Sequence, residues 1–314
     1  MMTNGQMVSI KRLRNLYKQC LSFLFLVGII WLMSSCSRKP TLDKVKDDVI
    51  NTLSNTEGEF AIAFKDLTTG ETLFINEKEV FHAASTMKTP VMIEVYKQAA
   101  EGKFSLSDSI EVKNEFRSIV DSTLYKLDVD DDSETELYNQ VGTKKILKDL
   151  VYDMIITSSN LATDIVIELV GARNVTATMR NLGAPDILIL RGVEDQEAFE
   201  AGLNNTTTAY DLMVIFEKLA NGEAVNPEAD QQMIDILLDQ KFNEIIPAKL
   251  PKDVKVAHKT GSITGVQHDS ALIILPDGKK YVLVTLSKNL KDVDRGVEAM
   301  ARTSELIYNY VTKK

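Results

Sequence analysis

The chain has 314 residues, of which 44% are hydrophobic, and this is enough to form a sizeable core in one or two domains. It carries 36 lysine and arginine residues against 45 aspartate and glutamate residues, which gives a net charge of -9. No basic stripe interleaved with aromatic residues occurs, so the sequence argues against nucleic acid as a partner.

Residues 1–35 have the pattern of a signal peptide for export. An apolar stretch at 21–33 is too short for a comfortable membrane span, and no acidic residue precedes Asp43. Four basic residues come before that stretch: Lys11, Arg12, Arg14 and Lys18. Without these four, the rest of the chain has 32 basic and 45 acidic residues, a net charge of -13.

Met33-Ser34-Ser35-Cys36 resembles a bacterial lipobox, with small residues directly before a cysteine. The resemblance implies that Cys36 carries lipid as the first residue of the mature protein, with 36–42 as a polar tether. A plain secretory signal and an uncleaved anchor are the alternatives. We expect an exported protein, lipid-anchored in the bacterial cell envelope and facing the periplasm or the exterior. An acidic domain at a membrane surface needs such a lipid, since its charge repels anionic head groups.

The other cysteine, Cys20, lies inside the signal, so no disulfide is expected in the domain at 43–314. Apolar residues at helical spacing predict a first helix over 43–53. Alternation at 60–64, a turn at 68–70 and Thr72–Ile75 predict a β-hairpin. The hairpin leads into an apolar helix that begins near Ser85 and contains Pro90 close to its first turn.

The block at 104–205 shows helical periodicity and no convincing strand pair. A break at 157–160 separates two helices, and Gly171 is expected to end the second. Thr208 and Asp211 have the spacing of a capping box that opens another helix. One predicted apolar helix face consists of Ile146, Leu147, Leu150, Val151, Met154 and Ile155.

The last third returns to a β pattern and then closes with a helix. Strands are predicted at 254–258, 271–275 and 281–286, and an amphipathic helix over 293–311. The predicted fold class is α/β of the α+β type, with an antiparallel sheet covered by terminal helices. The sheet lobe is expected at 43–84 and 211–314, and an inserted all-helical lobe at 85–210.

Three separated motifs carry candidate chemistry. Ser85 and Lys88 share a helix face, so a neutral lysine there would take the serine proton. Ser158-Ser159-Asn160 lies between two helices, and Lys259-Thr260-Gly261-Ser262 ends a strand. Singly, the second motif would also fit a helix cap and the third a polar strand end. Together and in this order, the motifs resemble those of class A β-lactamase-like serine hydrolases, over about residues 43–314.

The resemblance implies a role for each matched position. Ser85 would be the nucleophile, Lys88 its proton acceptor or relay, and Ser158 the proton donor to the leaving nitrogen. The oxyanion hole would be formed by the backbone N–H groups of Ser85 and Ser262. The substrate-binding positions would be Asn160 for the amide side chain, and Lys259, Thr260 and Ser262 for the carboxylate. Gly261 would let the strand edge approach the substrate closely.

The loop at 190–198 departs from the family pattern. Glu194 lies at the distance from Ser158 that is usual for the glutamate that activates the deacylating water, but no asparagine follows at the usual offset. Asp164 stands where class A enzymes usually carry an asparagine, so two carboxylates would repel and raise one pKa. Arg191 would pair with Asn205, where the family typically has an aspartate. From this loop we expect acylation to be retained and deacylation of β-lactams to be slow.

The leading hypothesis is a class A-type serine hydrolase that opens β-lactam amides through acyl-Ser85. The alternatives are a D,D-peptidase-like, penicillin-binding enzyme acting on cell-wall peptide, and a non-catalytic envelope protein that binds in the same cleft. We expect no cofactor and no metal, and we expect the protein to be a monomer. The aspartates at 128, 130 and 132 lack the glycine and glutamate of an EF-hand loop and indicate a solvated acidic loop. His258 is expected to serve packing.

Overall fold

The computed structural model describes residues 41–313. The predicted signal peptide, the lipid-bearing Cys36 and all but the last two residues of the tether lie outside this range. In the described residues, no helix is both long and apolar enough to cross a bilayer.

A five-stranded sheet forms the centre of the fold. Its spatial order is β2-β1-β5-β4-β3, and every neighbouring pair is antiparallel. Both ends of the chain supply strands, as predicted, and β3 forms one edge of the sheet. The strands are β1 (Glu59–Asp66), β2 (Thr72–Ile75), β3 (Lys255–Ile263), β4 (Val266–Ile274) and β5 (Lys280–Lys288).

Nine α-helices surround the sheet in residues 41–313. The first and last cover one face, and most of the others pack on the opposite face or in the inserted lobe. The helices are α1 (Leu42–Leu53), α2 (Lys88–Ala100), α3 (Leu147–Ile156), α4 (Asn160–Val170), α5 (Ala172–Asn181), α6 (Gln196–Glu200), α7 (Ala209–Asn221), α8 (Pro227–Leu238) and α9 (Val293–Thr312).

The strands separate two hydrophobic cores because successive side chains point to opposite faces. In β5, Tyr281 and Leu283 pack with the terminal helices, whereas Val282 and Val284 belong to the second core, which contains α7 and the helices of the inserted lobe. Both sets are buried, so the strand is apolar throughout and shows little alternation in its sequence.

The inserted lobe is not all-helical, so that prediction was wrong. Ser109–Glu111 pairs with Lys144–Ile146, and Phe116–Arg117 pairs with Leu124–Tyr125. These pairs are only two or three residues long, too short to show a period of two in the sequence. Ile146 belongs to one of them and is 43% exposed, so it is not part of the apolar face of α3.

The helix boundaries otherwise follow the local sequence signals. Thr208 accepts a hydrogen bond from the backbone N–H of Asp211 and opens α7. Gly171 follows the last residue of α4 with φ 81°, a conformation that favours glycine. The Lys259–Ser262 motif forms the C-terminal part of the nine-residue strand β3, which extends beyond the predicted end at residue 258 because β3 and β4 stay paired up to Ile263.

Candidate active site

Ser85 lies on a short 3-10 turn (Ala84–Met87) that runs directly into α2. Lys88 is the first residue of that helix, and the three-residue spacing places both side chains on one side of the turn. Ala84, just before the serine, has φ 44°, a left-handed conformation that costs about 1–2 kcal/mol for a residue with a side chain. This local strain sits where the chain presents Ser85 to a cleft.

Gly261 allows strand β3 to pass close to that turn. A Cβ at position 261 would lie 3.1 Å from the backbone nitrogens of both Ser85 and Thr86. The sequence prediction assigned Gly261 to close approach of the substrate. The structure adds that the glycine brings the edge strand against the nucleophile's own backbone.

Lys88 is fully buried, and its amine contacts the second motif. Its Nζ donates to the carbonyl of Ser158 at 2.6 Å, to Ser158 Oγ at 3.2 Å and to Asn160 Oδ1 at 2.9 Å. Burial lowers the pKa of Lys88 to about 8, although the carboxylates of Asp132, Asp164 and Glu194 oppose the shift. At neutral pH about one lysine in ten is therefore a free amine able to accept a proton.

The described residues include no hydrogen bond between Lys88 Nζ and Ser85 Oγ. Catalytic hydrogen bonds often shorten only when substrate binds, so we expect the Ser85–Lys88 contact to form in the substrate complex.

Ser158 lies between the two buried lysines. Its Oγ accepts from Lys259 Nζ at 3.0 Å as well as from Lys88 Nζ. Burial, followed by the charge of Lys88, lowers the pKa of Lys259 well below its ordinary value, against the opposing charge of Asp269. Since the hydroxyl oxygen already accepts from both amines, its proton is free to point into the cleft.

Glu194 is the loop glutamate that faces the cleft. Its Oε1 accepts from Asn160 Nδ2 at 2.6 Å, so Asn160 links the Lys88 amine to the Glu194 carboxylate. Glu197 and Glu200 are exposed and are not among the residues lining the cleft. Burial raises the pKa of Glu194, and Asp132 and Asp131 add to the rise.

These groups line one cleft of about 810 Å³ between the inserted lobe and the edge of the sheet. Ser85, Ser158 and Asn160 lie on one side, and Thr260 and Ser262 on the strand side. Ser262 Oγ accepts a hydrogen bond from Gln267, which holds it at the rim. The structure thus brings the three motifs together, with Lys88 and Lys259 buried just beneath the cleft.

A sequence model of the beta-lactamase enzyme family matches residues 44–311. The chain belongs to this family. Among curated relatives, beta-lactamase CARB-3 of Pseudomonas aeruginosa is 24% identical over 271 residues, which cover 82% of this chain and 88% of the relative. A beta-lactamase of Bacteroides uniformis is 23% identical over 301 residues, which cover 91% of this chain and 98% of the relative.

Solved structures agree with the family assignment. PBP-A has a TM-score of 0.75 and 25% identity, and the match covers 87% of this chain and 97% of PBP-A. The beta-lactamase from Sphaerobacter thermophilus has a TM-score of 0.73 and 26% identity, over 85% of this chain and 97% of that one. The predicted fold class and family resemblance are confirmed, and the chain is a hydrolase of the beta-lactamase family.

The loop that bears Glu194 in this beta-lactamase-family cleft rests on Asp164. Its Oδ1 accepts from the backbone N–H of Val193 at 2.6 Å, and its Oδ2 from the Tyr125 hydroxyl at 2.9 Å. A side chain at Gly192 would collide with this carboxyl group. Burial raises the pKa of Asp164 to about 7, whereas the charge of Glu194, the expected cause, is a smaller contribution.

Arg191 and Asn205 contact each other through the backbone of the arginine. Asn205 Oδ1 accepts from the Arg191 N–H at 3.2 Å, and its Nδ2 donates to the Arg191 carbonyl at 2.9 Å. The buried guanidinium instead donates to the carbonyls of Leu203 and Gly192 and to Asn204 Oδ1. The predicted pair therefore exists, but in the described chain this guanidinium forms no salt bridge.

Two residues were misassigned from sequence. His258 is not simple packing, because its buried Nδ1 lies 2.9 Å from Asp269 Oδ1. Asp132 is not part of a solvated loop, because it is 7% exposed and hydrogen-bonded to the start of α4. The sequence did contain a signal for Asp132: Ser159 replaces the family's aspartate in the middle of the second motif, so a carboxylate from elsewhere in the chain was needed there.

Within 41–313, no cluster of His, Cys, Asp and Glu is arranged to hold a metal.

Proposed function

We propose that this protein opens β-lactam amides through a covalent acyl-Ser85 intermediate, as a class A-type serine β-lactamase. The observation that carries the proposal is the buried Lys88 amine, held by Ser158 and Asn160 with its pKa lowered to about 8. A base with such a pKa is suited to activating a serine hydroxyl near neutral pH. The curated relatives are named beta-lactamases, and a PBP-A variant was solved as an acyl-enzyme complex with penicillin G.

In the acylation step, neutral Lys88 accepts the proton of Ser85 Oγ as that oxygen bonds to the lactam carbonyl carbon. The carbonyl oxygen becomes an oxyanion that the N–H groups of Ser85 and Ser262 stabilise. The C–N bond then breaks, and the nitrogen takes a proton from Ser158 Oγ, which Lys88 can reprotonate across their 3.2 Å hydrogen bond. The net result is an ester at Ser85 and a neutral ring-opened amine.

Substrate binding uses the strand side of the cleft. A β-lactam carboxylate beside Thr260 and Ser262 lies close to the buried amine of Lys259, which donates to Ser158 Oγ and to the Thr260 carbonyl. An anion there favours the charged form of Lys259, whose pKa is lowered by burial and then by the charge of Lys88. Asn160 Nδ2 and Oδ1 are the groups that would orient the amide side chain.

In the deacylation step, Glu194 accepts a proton from water as the water oxygen attacks the Ser85 ester. Its raised pKa suits a general base, and its hydrogen bond to Asn160 fixes one carboxylate oxygen. The other residues of this loop weaken the step. No asparagine follows Glu194 at the family's usual offset, and Ala198, four residues after Glu194, is buried and has no polar side-chain atom.

This loop also supports a second candidate, a D,D-peptidase-like enzyme that β-lactams acylate and leave slowly. The non-catalytic binding protein is less well supported, because all three motifs line one cleft with buried amines beneath it. A monomer is the simplest state for a cleft built entirely within one chain.

The test is to expose purified protein and its Ser85→Ala variant to benzylpenicillin, and to follow intact mass from seconds to hours. Turnover of a chromogenic cephalosporin is measured on the same samples. A short-lived adduct with turnover supports the β-lactamase, and a long-lived adduct without turnover supports the peptidase-like enzyme. The absence of both in the wild-type protein would refute acyl transfer and favour the binding protein.

We also propose that the protein is exported and held in the envelope by lipid on Cys36, as the lipobox resemblance implies. Cells expressing the wild type and Cys36→Ala can be labelled with a palmitate analogue and fractionated. Label and membrane association that both depend on Cys36 are expected. An unlabelled, freely released wild-type protein would contradict the proposal.

A further inference from the structure

Asp132 reaches the second motif from the loop that precedes α3, 28 residues before Asn160. Its Oδ2 accepts from the backbone N–H groups of Asn160 and Leu161, each at 2.9 Å, and from the Tyr138 hydroxyl at 3.0 Å. Ser159 Oγ lies 3.4 Å from the same oxygen, and Oδ1 accepts from the Glu134 N–H. The carboxylate is therefore buried and satisfied at the start of α4.

The motif that Asp132 contacts lacks its own carboxylate, because Ser159 stands at the middle position. We propose that Asp132 is a positioning residue for acyl transfer, whose carboxylate replaces the missing one and holds Ser158 and Asn160 against Lys88. The inference rests on the proposed chemistry at Ser85 and adds to it a residue from outside the three motifs.

Backbone geometry explains why the second motif needs the hydrogen bonds to Asp132. Ser158 has φ 60°, a left-handed conformation that persists in a non-glycine residue only when its surroundings hold it. In this conformation both the carbonyl and the Oγ of Ser158 reach Lys88 Nζ. Asp132 fixes the next part of the chain by accepting the N–H groups of Asn160 and Leu161, which the first turn of a helix leaves without intrahelical partners.

The position of the carboxylate also gives it an electrostatic effect. Lys88 faces three carboxylates, Asp132, Asp164 and Glu194, and the second buried amine, Lys259, across Ser158 Oγ. Each negative charge favours the ammonium form of Lys88, and Asp132 contributes the largest of the three effects. Removal of the Asp132 charge therefore lowers the pKa of Lys88 further.

The first test compares Asp132→Asn with Asp130→Asn. Asparagine keeps an oxygen to accept N–H groups at position 132, whereas Asp130 is an exposed aspartate of the same loop and serves as the control. We expect Asp132→Asn to slow acylation by benzylpenicillin about 10- to 100-fold, because small displacements of catalytic groups have effects of this size. The acylation pH profile of Asp132→Asn should also shift to lower pH. Asp130→Asn should match the wild type in both the acylation rate and the pH profile.

The second test moves the carboxylate back to the middle of the motif. Ser159 is fully buried and caps α4 by accepting from the Ala162 N–H, a role that aspartate also performs well. Ser159→Asp alone places two carboxylates together and should impair acylation. In the Asp132→Asn background, the same change supplies the carboxylate that position 132 has lost. The double variant should therefore acylate at least 10-fold faster than Asp132→Asn.

The outcomes separate this inference from the function on which it rests. If the wild type acylates and Asp132→Asn acylates equally fast with the same pH profile, the positioning role is wrong and the proposed function stands. The role is also wrong if the double variant acylates no faster than Asp132→Asn alone. If the wild type forms no acyl-enzyme, both proposals fail. Thermal melting of each variant identifies loss of folding, which would lower the rate without shifting the pH profile.

Discussion

Replacing Asp164 with asparagine changes the group beneath the loop that bears Glu194, at nearly constant volume. The asparagine oxygen can keep the hydrogen bond from the Val193 N–H. In the wild type the Tyr125 hydroxyl donates to Asp164 Oδ2, and in the variant the asparagine NH2 group can donate to that hydroxyl instead. The substitution therefore removes a titrating group and preserves both contacts.

The expected effect on stability follows from the pKa of Asp164. Burial raises this pKa to about 7, from an ordinary value of about 4. Between these values the folded protein holds a proton that the unfolded chain has released, so the free energy of unfolding falls as pH rises. Three pKa units correspond to a contribution of about 4 kcal/mol to the free energy of unfolding, and this contribution is fully lost above pH 7. Because Asp164 is buried, solvent screening does not reduce the effect.

Urea unfolding of the wild type and Asp164→Asn between pH 4.5 and 8 measures this difference. We expect the variant to gain about 2–4 kcal/mol relative to the wild type across the range, with most of the gain below pH 7.5. Asp130→Asn, at an exposed position, should parallel the wild type. A constant offset between wild type and Asp164→Asn at every pH would refute the assignment of a raised pKa to this carboxyl.

Three further predictions concern catalysis. The acylation rate of the wild type should rise with pH toward a plateau governed by a pKa of about 8. Lys88→Arg, which stays protonated, should lower the acylation rate about 10³-fold in stopped-flow assays. An unchanged rate in this variant would exclude Lys88 as the base. Gly261→Ala should cost about 1–3 kcal/mol in thermal melts and slow acylation, because its Cβ meets the backbone at Ser85, so a neutral result would contradict the close approach. Glu194→Gln should lengthen the acyl-enzyme lifetime about 100-fold by time-resolved mass spectrometry, whereas the exposed control Glu197→Gln should not, and equal lifetimes for both would exclude Glu194 as the base.

Much of the sheet could be predicted from sequence because its signals are local. Thr72–Ile75 carries the predicted return strand at its predicted bounds, and Gly171 ends its helix at positive φ as a glycine stop should. The short strand pairs of the inserted lobe escaped prediction, since two or three residues in each strand give no periodicity. Their pairing depends on tertiary contacts that the local sequence does not encode.

The three motifs were found because each is a contiguous set with a known spacing. The contacts that support them come from distant parts of the chain. Asp132 lies in a run of aspartates whose composition indicates solvent exposure, yet its carboxylate is buried against α4. Likewise, His258 is paired with Asp269 across two strands, and only the register of β3 and β4 brings them together.

The central claim is that Ser85 forms a covalent acyl-enzyme. The most direct measurement is to quench the protein during exposure to benzylpenicillin, digest it, and map the added mass by tandem mass spectrometry. We predict that the added mass equals one whole benzylpenicillin molecule, because ring opening releases no fragment, and that it lies on Ser85. It should be absent from Ser85→Ala. Label on another residue, or equal labelling of Ser85→Ala, would contradict the proposed chemistry.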